Sequence, residues 1–114
     1  MTLRNLALTF LVSTFVIGAA AAECTTWGCA DVYVEQLYIN GTASGFYIRT
    51  SGNELLANCT PESGVYLYVP NGLPQMKELY ATFLAAQLAD KRVNIRVDEG
   101  TNPCTVAYVT INKQ

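Results

Sequence analysis

The chain of 114 residues contains no histidine. Histidine is the commonest general base in enzymes, and the serine and cysteine triads depend on it, so its absence excludes those forms of catalysis. Glycine-rich phosphate loops and metal-binding motifs are also missing. A pair of carboxylates that hydrolyses a glycoside is the remaining catalytic option. We expect no enzyme and no cofactor, because the candidate carboxylates stand in turns or on faces predicted to be exposed: Asp31, Glu35, Glu54, Glu62, Asp98 and Glu99.

Basic residues are scarce. Residues 23–114 carry six basic and nine acidic side chains, a net charge of about −3. Binding to nucleic acid or to an anionic membrane surface calls for a basic excess. The sequence therefore predicts no nucleic-acid partner, and a segment of this length predicts one domain with a modest core.

Long apolar runs are limited to the N terminus. Arg4 precedes an apolar stretch from Leu6 to Ala19, and small residues at Ala20 to Ala22 stand before Glu23. This pattern is typical of a signal peptide at residues 1–22 that is removed by cleavage. A transmembrane anchor is the alternative, but it needs about 20 apolar residues. We therefore expect a domain at residues 23–114 that is periplasmic or secreted and is not inserted in a membrane.

Cysteine is limited to four residues, all after the predicted leader. Export to an oxidising compartment predicts two disulfides, for which three connectivities exist. We favour a short loop closed by Cys24–Cys29 and a longer one closed by Cys59–Cys104. Zinc binding is the alternative, because the gap between Cys24 and Cys29 fits a zinc knuckle. The isolated positions of Cys59 and Cys104 and the lack of histidine favour disulfides.

One segment, Leu73 to Asp90, has a clear helical period. Its apolar residues recur at intervals of three and four, as in a helix that packs one face on a core. Pro74 fits the first turn of such a helix, where its missing N–H loses no partner. The residues predicted to face the core are Met76, Leu79, Tyr80, Phe83, Leu84 and Leu88.

Strand patterns flank this helix on both sides. The first contains a change of phase, which predicts a bulge or a bend, and the last is apolar on both faces, as in a strand buried on both sides. The predicted strands are Val32 to Ile39, Phe46 to Thr50, Glu54 to Cys59 continued by Val65 to Val69, Arg92 to Val97, and Cys104 to Ile111.

The predicted order is β-β-β-α-β-β. This mainly β arrangement with one helix (α+β) is the order of an OB-fold, a five-stranded barrel with a helix between its third and fourth strands. The bent first strand agrees with this prediction, because that strand pairs with both halves of such a barrel. A plain α+β sheet with the helix on one face is the alternative.

The stretches GVYLYVP, MKELYATFLAAQLADKRVNIRVDEG and PCTVAYV resemble small uncharacterised exported proteins of Gram-negative bacteria. That likeness covers most of residues 24–111. The strand and helix order is also similar to that of the receptor-binding B subunits of bacterial pentameric toxins, which are exported, disulfide-bonded OB-folds that bind cell-surface glycans. The resemblance implies a fold; it transfers no glycan-binding residue to this chain.

Several aromatic residues lie out of phase with the core positions of their own strands. Tyr47, Tyr66 and Tyr68 are predicted to point outward, with Arg49 two positions along from Tyr47 and Trp27 in the cysteine loop. Rings beside a few polar groups suit stacking on a sugar or packing against a protein. These five residues are the predicted ligand-binding residues of a non-enzymatic domain whose partner is a glycan or a protein surface. Alternatively, tyrosine simply packs well on a half-exposed sheet, and Trp27 covers one end of the barrel.

Small residues recur on the predicted helix behind its apolar face. Ala81, Ala85 and Ala89 stand four residues apart, with Thr82 and Ala86 beside them. A surface of this kind lets another backbone approach closely and predicts a homo-oligomer, as in the toxin pentamers. Alanine is also the best helix former, so the pattern has a second explanation. A self-assembling subunit is therefore the alternative function.

Overall fold

The computed structural model describes residues 9, 11–14, 23–42 and 44–114. The predicted cleavage site at residues 20–22 and most of the predicted leader lie outside the described residues. The described part of the chain forms six strands, one 3-10 turn and one helix. In chain order they are β1 (Glu23–Thr25), β2 (Gly28–Ile39), β3 (Gly45–Thr50), the 3-10 turn Glu54–Leu56, β4 (Leu67–Pro70), α1 (Met76–Leu88), β5 (Arg92–Asp98) and β6 (Thr105–Thr110).

The strands form one sheet in the order β1-β2-β3-β4-β6-β5, and β5 also pairs with β2. Strands β2 to β6 therefore form a ring, with β1 added to β2 as a short hairpin. β4 and β6 run parallel and share one registered pair, Tyr68 opposite Thr105, so the ring is only partly closed there. A ring in this order, with α1 between its third and fourth strands, is the predicted OB-fold arrangement. The plain sheet is excluded.

Strand β2 supplies the bend that closes the ring. Its first half pairs with β5 and its second half with β3, and the register shifts between Cys29 and Val32 on one side and between Val34 and Gln36 on the other. Each shift is an irregularity of the β-bulge type, which inserts extra residues and increases the local bend. The predicted phase change is confirmed.

Alternate residues of the strands fill the interior of the ring. The inward positions of β3, β4 and β5 agree with the predicted alternation, because successive side chains point to opposite faces. Ten of the buried side chains are Val32, Phe46, Ile48, Leu67, Val69, Phe83, Val93, Ile95, Val97 and Val106.

The helix is shorter than predicted, and the side that packs against the core differs from the predicted one. It spans Met76–Leu88, and Pro74 precedes its N-cap residue, Gln75. Of the residues of this helix, only Phe83 and Ala86 are buried. Leu88, which was predicted to face the core, is 79% exposed. Ala86 and Leu88 are two residues apart and therefore lie on opposite sides of the helix, and the side of Ala86 meets the core. The prediction that Leu88 faces the core and the prediction that Ala86 is a surface residue are both wrong.

The segment predicted as an extended piece from Glu54 to Cys59 begins instead as a 3-10 turn. Asn53 accepts a hydrogen bond from the backbone N–H of Leu55 and starts the turn. Glu54 is 3% exposed and accepts from the backbone N–H of Thr50 at 2.6 Å and from its hydroxyl at 2.8 Å. The predictions of a strand and of a solvated Glu54 are therefore wrong, because local side-chain bonds satisfy this backbone without a neighbouring strand.

The last strand is buried on one face only. Cys104 and Val106 are buried, whereas Ala107 is exposed and Tyr108 is 51% exposed. No element of the described chain covers the outer face of β6, so the prediction of burial on both faces is wrong. The apolar composition of this strand does not indicate burial, because protein surfaces ordinarily carry some exposed apolar side chains.

Both disulfides have the predicted connectivity. Cys24 is joined to Cys29 across the β1–β2 hairpin, and Cys59 is joined to Cys104. Two disulfides indicate folding in an oxidising compartment. Within the described residues, the one helix is too short and too polar to cross a membrane.

Candidate functional site

Four tyrosines form a single patch on the outer face of β2, β3 and β4. Strand register places Tyr38 opposite Tyr47, and Tyr47 opposite Tyr68. Tyr66 directly precedes β4 and forms an isolated bridge with Glu62. Since neighbouring positions across a sheet lie about 5 Å apart, the register brings the rings of Tyr38, Tyr47 and Tyr68 together, and Tyr66 stands two residues before Tyr68. Tyr38, Tyr47, Tyr66 and Tyr68 are called the tyrosine patch below.

Tyr47 is the centre of the tyrosine patch. Its ring centroid lies 5.7 Å from that of Tyr38, 6.1 Å from that of Tyr66 and 5.1 Å from that of Tyr68. The centroids of Tyr38 and Tyr66 are 5.6 Å apart. All four distances fall in the range of favourable aromatic pairs, about 4.5–7 Å. The rings therefore hold one another in place and form a continuous aromatic surface.

Two of the phenolic hydroxyls are fixed by hydrogen bonds. The hydroxyl of Tyr66 donates to the side-chain oxygen of Gln36 at 3.2 Å, and that of Tyr68 donates to the backbone carbonyl of Ser44. Among the described residues, the hydroxyls of Tyr38 and Tyr47 have no such partner. These two groups are free to donate to a ligand.

Charged groups stand at the edge of the patch. Arg49, opposite Gln36 in the sheet, lies 3.7 Å from the carboxylate of Glu35, and both side chains are 46% exposed. The pKa of Tyr47 is raised above its ordinary value, first by burial and then by the charge of Glu62 and the neighbouring hydroxyls. Tyr47 therefore keeps its proton at neutral pH and remains a hydrogen-bond donor.

The structure brings together four of the five predicted binding residues. Tyr47, Tyr66, Tyr68 and Arg49 share one face, as the alternation predicts. Trp27 lies elsewhere: its backbone carbonyl accepts from Val97, and the Arg96 guanidinium lies 5.9 Å from its ring centroid. It belongs to the β1–β2 hairpin beside β5, at the opposite end of β2 from Tyr38. Trp27 is therefore not part of the tyrosine patch.

Two residues of this surface were not predicted from the sequence: Tyr38, whose ring belongs to the patch, and Gln36, which accepts a hydrogen bond from Tyr66. A signal for them was present in the phase change of β2. The register shift between Val34 and Gln36 turns Gln36 and Tyr38 outward, opposite Arg49 and Tyr47. Placing the bulge at the right residue would have predicted both.

The patch offers stacking surfaces and hydrogen-bond donors, which are groups for binding. Glu54, one of the candidate carboxylates, is committed to bonds with Thr50. Across the described residues, no group of three or more cysteine, aspartate or glutamate side chains is placed to hold a metal ion. The arrangement can therefore hold a ligand by ring contacts and by the free hydroxyls of Tyr38 and Tyr47.

No protein-family model matches the chain, and no curated protein matches it at a significant level.

Proposed function

We propose that this protein is an exported, non-enzymatic binding domain that recognises a glycan or a protein surface through the tyrosine patch. The observation that carries the proposal is the continuous layer of four rings on the outer face of the barrel. Tyrosine is enriched at binding surfaces because its ring supplies contact area and its hydroxyl supplies a hydrogen bond. OB-folds bind oligosaccharides and oligonucleotides on the face formed by their second and third strands, here β3 and β4.

The polar surroundings favour a neutral ligand over an anionic one. Glu62, which forms a β-bridge with Tyr66, brings a negative charge to the patch, and the charge of Arg49 is balanced by Glu35. An oligosaccharide or an uncharged protein segment meets no repulsion there. The same charges disfavour oligonucleotides, because their phosphates need a basic surface. The predicted leader and the disulfides support a ligand that lies in the periplasm or outside the cell.

The proposal predicts that ligand binding depends on the patch and is independent of other exposed tyrosines. A glycan array and a displayed peptide library would supply ligands, and affinities would be measured by calorimetry. Tyr38→Ala and Tyr66→Ala are each expected to weaken binding by about 30-fold, the effect of losing an interface residue worth about 2 kcal/mol. Tyr108→Ala is the matched control, because Tyr108 is exposed on β6 outside the patch.

The control variant is expected to bind within about twofold of the unchanged protein. The proposal is wrong if neither probe yields a ligand, or if Tyr108→Ala loses as much affinity as the two patch variants. Thermal unfolding of each variant separates loss of binding from loss of folding.

Self-assembly is a second candidate function, and the outer face of α1 favours it. Ala81 and Ala85 are exposed on the helix, and Leu88, one turn further, is 79% exposed. A large apolar side chain beside small residues is a surface that another copy of the chain can cover.

This candidate predicts a concentration-dependent oligomer. Sedimentation velocity is expected to show association that Leu88→Glu removes and that Lys91→Glu, a change at a nearby charged residue, leaves intact. A single monomer species at high protein concentration would eliminate the candidate.

A further inference from the structure

A pocket of about 340 Å³ opens between the first turn of α1 and the ends of β2 and β3. The rings of Phe46 and Tyr80 line the pocket and pack edge to face, with their centroids 5.4 Å apart. Its lining is mostly apolar and comes from Ile39, Gly45, Phe46, Asn71, Met76, Lys77 and Tyr80. The volume falls at the small end of the range of ligand sites, about 300–1,000 Å³.

This pocket lies on the other side of the strands from the tyrosine patch. Ile39 and Phe46 follow Tyr38 and precede Tyr47, respectively, and successive side chains of a strand point to opposite faces. An occupant of the pocket therefore leaves the rings of the patch free. The two surfaces can be tested independently.

The apolar lining calls for an apolar occupant. Ile39 ends its strand with 60% of its side chain exposed, although its neighbours Phe46 and Met76 are buried or half-buried. Covering Ile39 removes apolar surface from water, which is the main source of affinity in such pockets. The limited volume suits a short chain or a single ring system and is too small for a folded peptide segment.

The only charged residue in the described lining is Lys77. No carboxylate of the described residues forms an ion pair with it. The amide of Asn71 adds one polar group to the same lining. A cation at the edge of an apolar pocket is complementary to a molecule that has an apolar body and a negative end.

We propose that this pocket binds a small amphiphilic anion: a short apolar chain or ring that carries one carboxylate, phosphate or sulfonate group. The apolar body occupies the space beside Phe46, Met76 and Tyr80, and the anionic end meets Lys77. The ligand enters as a single dissolved molecule, because the pocket has room for one small molecule and residues 23–114 carry a net negative charge that opposes binding to an anionic membrane.

Decanoate, at concentrations where it is monomeric, is the probe for this site. Calorimetry and NMR are expected to show saturable binding, with signal changes at Met76 and Tyr80. Lys77→Glu is expected to weaken decanoate binding by about tenfold, because it replaces an attraction by a repulsion. Lys91→Glu is the matched control, since it makes the same change of net charge at an exposed residue after the helix, and it is expected to change affinity by less than twofold.

Two further probes separate shape from charge. Decanol tests the apolar part alone, and its affinity is expected to be equal in the unchanged protein and in Lys77→Glu. Decyltrimethylammonium, which has the opposite charge, is expected to bind more weakly than decanoate. Equal loss of decanoate binding in Lys77→Glu and Lys91→Glu, or tighter binding of the cationic probe, would overturn the proposal.

Vesicle binding and the Tyr38→Ala variant provide two further tests of the proposed pocket ligand. Binding to anionic phospholipid vesicles with no binding to monomeric decanoate would overturn the proposal in favour of membrane attachment. Tyr38→Ala is expected to bind decanoate as the unchanged protein does, whatever its effect on the ligand of the tyrosine patch. Loss of decanoate binding in that variant would show that the two surfaces are one site and would also overturn the proposal.

Discussion

Replacing Phe83 by alanine is expected to lower the free energy of unfolding by about 3–5 kcal/mol, the usual cost of removing a buried aromatic ring. Phe83 is the largest of the fully buried side chains. Its ring centroid lies 6.3 Å from that of Phe46, so it connects α1 to the inside of the barrel. Because a small domain has a stability of about 5–15 kcal/mol, this loss removes a large part of the total.

Leu88→Ala is the matched control for Phe83→Ala. Both residues belong to the same predicted apolar face, but Leu88 is 79% exposed. Its removal is expected to change the free energy of unfolding by no more than about 0.5 kcal/mol. Urea unfolding followed by circular dichroism measures both values. Similar losses in the two variants would contradict the burial described for α1.

Removing the Cys59–Cys104 disulfide by the double change to alanine is expected to cost about 4 kcal/mol. In the chain-entropy account, a disulfide stabilises by restricting the unfolded chain, and the effect grows with the length of the closed loop. The sequence separation here is 45 residues. This disulfide also holds the segment after the 3-10 turn to the start of β6, next to the single registered pair of β4 and β6.

The double change of Cys24 and Cys29 to alanine is the comparison. Their separation is five residues, for which the same account gives about 2 kcal/mol. Guanidinium unfolding of the two double variants, without reductant, measures the difference. A larger loss from the Cys24 and Cys29 pair would show that local packing of those buried sulfurs outweighs the entropy of the longer loop.

The barrel and its disulfides form a rigid support for the tyrosine patch. Three strands place the rings by register, and hydrogen bonds to Gln36 and to the Ser44 carbonyl fix two of them. A surface that is already ordered loses little conformational entropy when it binds. The proposed pocket and the patch both use β2 and β3, on opposite faces of these strands.

Much of the fold could be predicted from local patterns. The inward residues of β3, β4 and β5 were predicted because alternation is a property of the strand itself. The position of the helix between strands was predicted for a similar reason, because helical periodicity is also local. The disulfide connectivity was the favoured one of three. Three of the four rings in the patch were also predicted, since outward tyrosines follow directly from the same alternation.

Other features depended on contacts between distant segments. Tyr38 joined the patch because a bulge in β2 shifts its register against β3. Trp27 was separated from the patch because β2 bends between two partners, which places its two ends beside different strands. The phase change in β2 indicates a bulge near Tyr38, but the neighbours of Trp27 in the sequence do not show which strand it lies beside.

The sequence by itself determined the helix, the alternation of the strands on either side of it, and the outward phase of Tyr47, Tyr66 and Tyr68. Those properties depend on the spacing of side chains along the chain, which is local. Only the tertiary structure decided that Glu54 is buried, that Leu88 is exposed and that a pocket opens beside Lys77. Burial depends on which distant segment covers a residue, and the spacing of residues along one segment carries no information about that.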